Sequence, residues 1–85
     1  VITLIDLGPI HDEAVDFQLL NSALTDAVEQ LPERCRIIFK LAKEDGMSHR
    51  EIAAALDISP STVEGQLAIA MRRLKAAAAP FLKKI

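Results

Sequence analysis

The side chains best suited to chemistry cluster late in the chain. Ser61, Thr62, Glu64 and Gln66 fall within six residues around Gly65, and Arg72-Arg73 follow two helical turns on. Hydroxyl, carboxylate and carboxamide groups bond to base edges, and guanidinium groups bond to phosphate oxygens. The pattern suits a surface that reads a duplex, with base contacts first and backbone contacts behind. Catalysis has less to build on: there is no Gly-rich phosphate loop, no Ser/His/Asp set and no carboxylate pair with a plausible cleft, so an enzyme is not expected. Cys35, His11 and His49 lack the spacing of a zinc site, and neither metal nor cofactor is expected. Cys35 reads as a buried, inert thiol on an apolar helix face. His49 reads as a solvated residue opening a helix.

These groups need a helix to carry them. Ser59-Pro60 supplies its start, an N-cap serine followed by the residue best tolerated at the first helical position. Val63, Leu67, Ala70 and Leu74 then share about a quarter of the helix circumference and form the inward stripe. Ser61, Gly65, Ala68 and Arg72 point the opposite way, with Thr62, Glu64, Gln66, Ile69 and Arg73 on the flanks. Thr62 sits at the third helical position, where its hydroxyl can also support the cap. Ahead of this helix, Ser48-His49-Arg50-Glu51 spells a capping box for a short helix carrying Ile52, Ala53 and Leu56. Asp57-Ile58 breaks it, with Ile58 inward. Helix, three-residue turn, helix is the spacing of a helix-turn-helix.

Two further helices precede the pair. Phe17, Leu20, Leu24, Val28 and Leu31 recur every three or four residues, which predicts a helix of about five turns from Asp12 to Leu31. Pro32 ends it and takes the first position of the next helix, which runs from Pro32 to Asp45 and stops at Gly46. That helix offers Cys35, Ile38, Phe39 and Ala42 on one side and Ile37 and Leu41 on another, as a central helix would.

Composition agrees with packed helices. Eighty-five residues make one domain at most; thirteen are alanine, three are aromatic (Phe17, Phe39, Phe81), and Trp and Tyr are absent. No apolar run approaches the ~20 residues of a membrane span. The net charge of −2 hides a division. Residues 1–33 carry seven acidic side chains and no Lys or Arg, whereas residues 34–85 carry ten basic and five acidic ones. One part can therefore meet DNA while the other meets a basic partner.

Several motifs occur in order: Leu31-Pro32-Glu33-Arg34-Cys35-Arg36 with Phe39 and Leu41; Gly46-Met47-Ser48-His49-Arg50-Glu51-Ile52-Ala53; Leu56-Asp57-Ile58-Ser59-Pro60-Ser61-Thr62-Val63-Glu64; and Ala70-Met71-Arg72-Arg73-Leu74. Over about residues 20–75 the chain resembles region 4 of the bacterial sigma-70 family, most closely the extracytoplasmic-function group. The resemblance implies an all-α, small four-helix domain containing a helix-turn-helix, akin to the winged-helix class without a wing. It implies that helix 60–76 enters the major groove of the promoter minus 35 element while other surfaces meet the β flap of core RNA polymerase. By position, Ser61, Thr62, Glu64, Gly65 and Gln66 approach bases or the adjacent backbone, Glu64 toward a cytosine amine and Gln66 toward adenine. Arg72 and Arg73 sit near phosphates, and Arg50, one turn into the preceding helix, reaches the backbone. Three positions depart from the family's habit: Ser61 stands where Lys or Gly is frequent, Gly65 where a larger polar residue is, and Ile69 where Arg is.

The expected layout is a linker over 1–10 toward a region 2 that this sequence does not contain, the helix-turn-helix domain over 11–79, and a tail over 80–85 in which Phe81 and Leu82 fold back on the core. The implied setting is the bacterial cytoplasm. Two alternatives stay open: an effector domain of the response-regulator kind, and a protein-interaction module bound by an anti-sigma factor. Outward Leu19, Ile37, Leu41 and Ile69 are the candidate contacts for the latter.

Overall fold

The computed structural model describes residues 17–81, which form four α-helices and a closing 3-10 turn, with no strand among them. The helices are α1 (Phe17–Glu29), α2 (Glu33–Lys43), α3 (His49–Leu56) and α4 (Pro60–Ala78), and the turn covers Ala79–Phe81. This is the all-α helix-turn-helix class that the sequence predicts. The predicted start of the first helix at Asp12, the linker over 1–10 and Leu82 lie outside the described residues.

Each boundary has a local cause. After α1 the backbone of Gln30 and Leu31 tightens into turn bonds, Leu31 N–H to Val28 C=O at 3.1 Å among them, as proline approaches. Arg36 covers the end of α1 from the next helix, its Nη1 donating to the carbonyls of Glu29 at 3.1 Å and Leu31 at 3.2 Å. Pro32 is the N-cap of α2 rather than its first helical residue. Its ψ of 150° is extended, while its carbonyl already accepts the first helical bond, from Arg36 N–H at 2.8 Å. Gly46 closes α2 at φ +67°, where Met47 N–H reaches back to Leu41 C=O at 3.1 Å. The bond spans one residue more than the six-residue link of the common glycine-ended C-terminus, because Gly46 lies two positions past the C-cap Glu44.

α4 is the hub, packing against α1, α2 and α3. The sequence suggested α2 for that place, because α2 has apolar residues on two sides. The structure instead splits α2 between two clusters and leaves Ile37 41% exposed. Cys35 and Phe39 join Leu20, Leu24, Ala70 and Leu74 in one cluster, while Ile38 joins Ile52, Ala53 and Val63 in the other. Half-buried Leu67 touches both. The core is wholly apolar among the described residues.

Four expectations need correction in detail. Phe17 shares the α1 stripe on a helical wheel yet is 51% exposed, because the stripe runs past the part of α1 that other described helices cover. Leu41 and Ile69 were expected to face outward; both are half-buried and packed on the core. Each lies on a helix flank, where a large side chain can bend back over a neighbour. Arg50 is the second residue of α3, nearer its start than one full turn. Phe81, by contrast, packs against the larger cluster as expected, and α4 continues to Ala78 before Pro80 enters the 3-10 turn.

Candidate nucleic-acid interface

Both helices of the turn motif begin with satisfied caps. At α3, Glu51 N–H donates to Ser48 Oγ at 3.1 Å and Ser48 N–H donates to Glu51 Oε1 at 2.8 Å, the reciprocal box that the sequence spells. α3 ends on Asp57, whose φ of +58° is left-handed, a conformation that aspartate tolerates better than most residues. Ile58 N–H then bonds to Ala53 C=O at 3.0 Å, and half-buried Ile58 anchors the turn on the smaller cluster. Ser59 caps α4 by accepting from Thr62 N–H at 3.1 Å. The Ser59 and Thr62 hydroxyls also share a hydrogen bond of 2.9 Å. Two caps and one left-handed residue thus fix the angle between α3 and α4 without a long loop.

The outward side of α4 is as the wheel predicts. Ser61, Thr62, Glu64, Gly65, Ala68, Arg72 and Arg73 are exposed, opposite buried Val63, Ala70 and Leu74. Arg50 is exposed at the start of α3. A Cβ built on Gly65 meets nothing within 4 Å, so the glycine fills no packing need of the fold and leaves a flat patch of backbone on the open face.

The candidate residues are not equivalent. At about 100° per residue, Glu64 and Gln66 stand roughly 160° apart around the helix. Glu64 lies on the flank toward α3, with its Oε2 3.6 Å from His49 Nδ1. Gln66 is half-buried on the flank toward α2, and its carbonyl accepts from Cys35 Sγ at 3.3 Å. Arg73 shares that flank, close enough for its charge to oppose the upward shift of the Cys35 thiol. Burial dominates and pushes that thiol above its ordinary value of 9.0. Thr62 already spends its hydroxyl on the cap. Ser61, Gly65 and Arg72 are therefore the candidates least engaged by the fold.

Two residues of this surface escaped the sequence reading. His49 enters through the third dimension, since fifteen positions separate it from Glu64. Lys75 is exposed one turn beyond Arg72 and adds a third cation to the far end of the face, a position its place on the wheel could have signalled. Among the described residues, no three His, Cys, Asp or Glu side chains gather where a metal could be held, and no helix is long and apolar enough to cross a membrane.

A capped helix-turn-helix with a small-residue face and a basic far end defines a DNA-binding helical domain. The family described as Sigma-70, region 4 matches residues 21–74, and the chain belongs to that family. It is accordingly a sigma-factor DNA-binding domain, of a regulatory family that works with DNA and RNA polymerase. No curated protein matches the chain.

Proposed function

We propose that this chain reads the minus 35 element of a bacterial promoter by laying the N-terminal half of α4 in the major groove, and that it docks on core RNA polymerase at the same time. The observation that carries this reading is the exposed face of α4. Ser61, Glu64 and Gly65 occupy its first two turns, and Arg72, Arg73 and Lys75 lie behind them. Base edges are reached by the short polar groups at the helix start, and phosphates by the cations further along. Arg50 contributes a backbone contact from α3.

Docking on polymerase calls for a second, apolar surface. Glu33, Arg34, Ile37 and Leu56 line an open groove of about 280 Å³ between α2 and α3. Open to solvent and floored by Ile37 and Leu56, with Glu33 and Arg34 beside them, it can receive an apolar side chain of a partner. The β flap is the polymerase element we assign to it. An anti-sigma protein is the second reading, supported by the exposure of Leu19 (56%) and Ile37 (41%) on α1 and α2.

The test is selection of bound sequences from a random duplex pool at low salt, with the chain alone and with core polymerase added. One short asymmetric motif is expected, lost when Glu64 and Gln66 become alanine. Absence of a motif in both arms would overturn base reading by α4. Ile37→Glu should leave duplex binding by the lone chain unchanged and weaken its complex with polymerase.

A further inference from the structure

We propose that His49 is a positioning residue for Glu64, and that the pair sets the base preference at one step of the bound duplex; this rests on α4 being the helix that contacts bases. His49 is the first residue of α3 and Glu64 the fifth of α4, and their side chains meet across the turn with Nδ1 3.6 Å from Oε2. The distance is too long for a hydrogen bond but within ion-pair range. Both side chains are exposed, at 47% and 64%, so the contact adds little to folding. Its effect falls on what Glu64 can do when a duplex arrives.

Glu64 is the only acidic residue of α4. A carboxylate on a groove-facing helix has two obstacles: it repels phosphates, and fixing its long side chain on binding costs rotamer entropy. The first helix of a helix-turn-helix crosses the phosphate backbone, so a carboxylate turned toward that helix sits where repulsion is strongest. His49 stands at that place. Its imidazole offers the carboxylate a polar, and when protonated cationic, neighbour that limits the orientations Glu64 takes and screens it from phosphate. Held in this way, Glu64 presents an acceptor to a cytosine amine, the donor that the major groove displays for that base.

The experiment uses the 85-residue chain and a set of duplexes that carry the selected motif and differ only at the base pair sensitive to Glu64. Affinities are compared for the unaltered chain, Glu64→Gln, His49→Ala, His49→Lys and His49→Ala/Glu64→Gln, with thermal melting measured for each. We expect Glu64→Gln to abolish the preference for cytosine at that pair. His49→Ala should relax the preference by about fivefold, part of what one base contact supplies, with preferences at other positions and the melting temperature unchanged. His49→Lys should restore it, because an ammonium pairs with the same carboxylate. In the double variant, loss of His49 should have no further effect. If His49→Ala keeps the full preference while Glu64→Gln loses it, the positioning role is overturned and base reading by α4 stands. If a motif is recovered but Glu64→Gln leaves it unchanged, Glu64 reads no base and the pair has nothing to position. If no motif is recovered, base reading itself fails.

Discussion

At the scale of single residues, the two glycines described in the structure have opposite requirements. Gly46 holds φ +67°, so Gly46→Ala should destabilise the chain by about 1–2 kcal/mol through a left-handed alanine. Gly65 is helical with open space around its missing Cβ, and Gly65→Ala should raise stability by up to ~1 kcal/mol. Denaturant melts of both variants test this, and a Gly65→Ala chain that is stabilised yet binds DNA less well would show that the flat backbone serves the duplex. Cys35 gives an alkaline signature. Its thiol is held above 9.0 by burial, so the folded chain keeps a proton that the unfolded chain releases. The contribution is complete below pH 9 and is lost as pH rises from there through the folded value. Stability measured from pH 8 upward should decline, and the decline should be shallower in Cys35→Ala. The sequence identified Cys35 as buried from its helix face alone. It did not identify His49 as a neighbour of Glu64, because that contact depends on the angle between two helices and no periodicity encodes an angle.

At the scale of elements, capping decides where each helix of the motif starts. Ser59→Ala removes the acceptor for Thr62 N–H and the partner of the Thr62 hydroxyl. Loss of such a cap costs ~0.5–2 kcal/mol. We expect Ser59→Ala to fall in that range by chemical denaturation, and to weaken duplex binding further by fraying the turn that carries Ser61 and Thr62. These starts were legible, since Ser-x-x-Glu and Ser-Pro are chemical instructions contained in a few adjacent residues. The relation of helices to one another was less so. α2 carries apolar residues on two sides and reads as central, but the second side is spread over half-buried Leu41 and exposed Ile37. The centre falls instead to α4, whose stripe from Val63 to Ala78 is long enough to serve three neighbours. Wheel position alone could not show that Ile69 and Leu41 bend back onto the core, because flank residues choose between solvent and neighbour only once the neighbour is in place.

For the whole molecule, charge sets the strength of any encounter with nucleic acid. The formal charge is −2, and among the described residues the surface around α4 offers Arg50, Arg72, Arg73 and Lys75 as exposed cations, with Glu64 among them. Affinity for a duplex rests mainly on phosphate neutralisation, so the chain alone should bind in the ~10⁻⁴ to 10⁻⁶ M range at physiological salt. A titration at several salt concentrations checks this; sub-nanomolar binding by the isolated chain at 150 mM salt would contradict it. The weakness follows from few cations, and added affinity has to come from a partner held on another surface. The place of α4 at the hub also bears on how the chain acquires its shape during synthesis. The stripe of Leu20, Leu24 and Val28 has its counterpart in Ala70, Leu74 and Ala78, some fifty positions later. Until those last residues leave the ribosome, the α1 stripe lacks its α4 counterpart, and the earlier helices have only the smaller contacts of α2 with α3, such as Ile38 with Ile52 and Ala53, to close on. Assembly of the larger cluster therefore waits for the same helix that carries the proposed DNA-facing side chains, and a nascent chain interrupted before Pro60 has neither a completed interior nor the face proposed to meet a duplex.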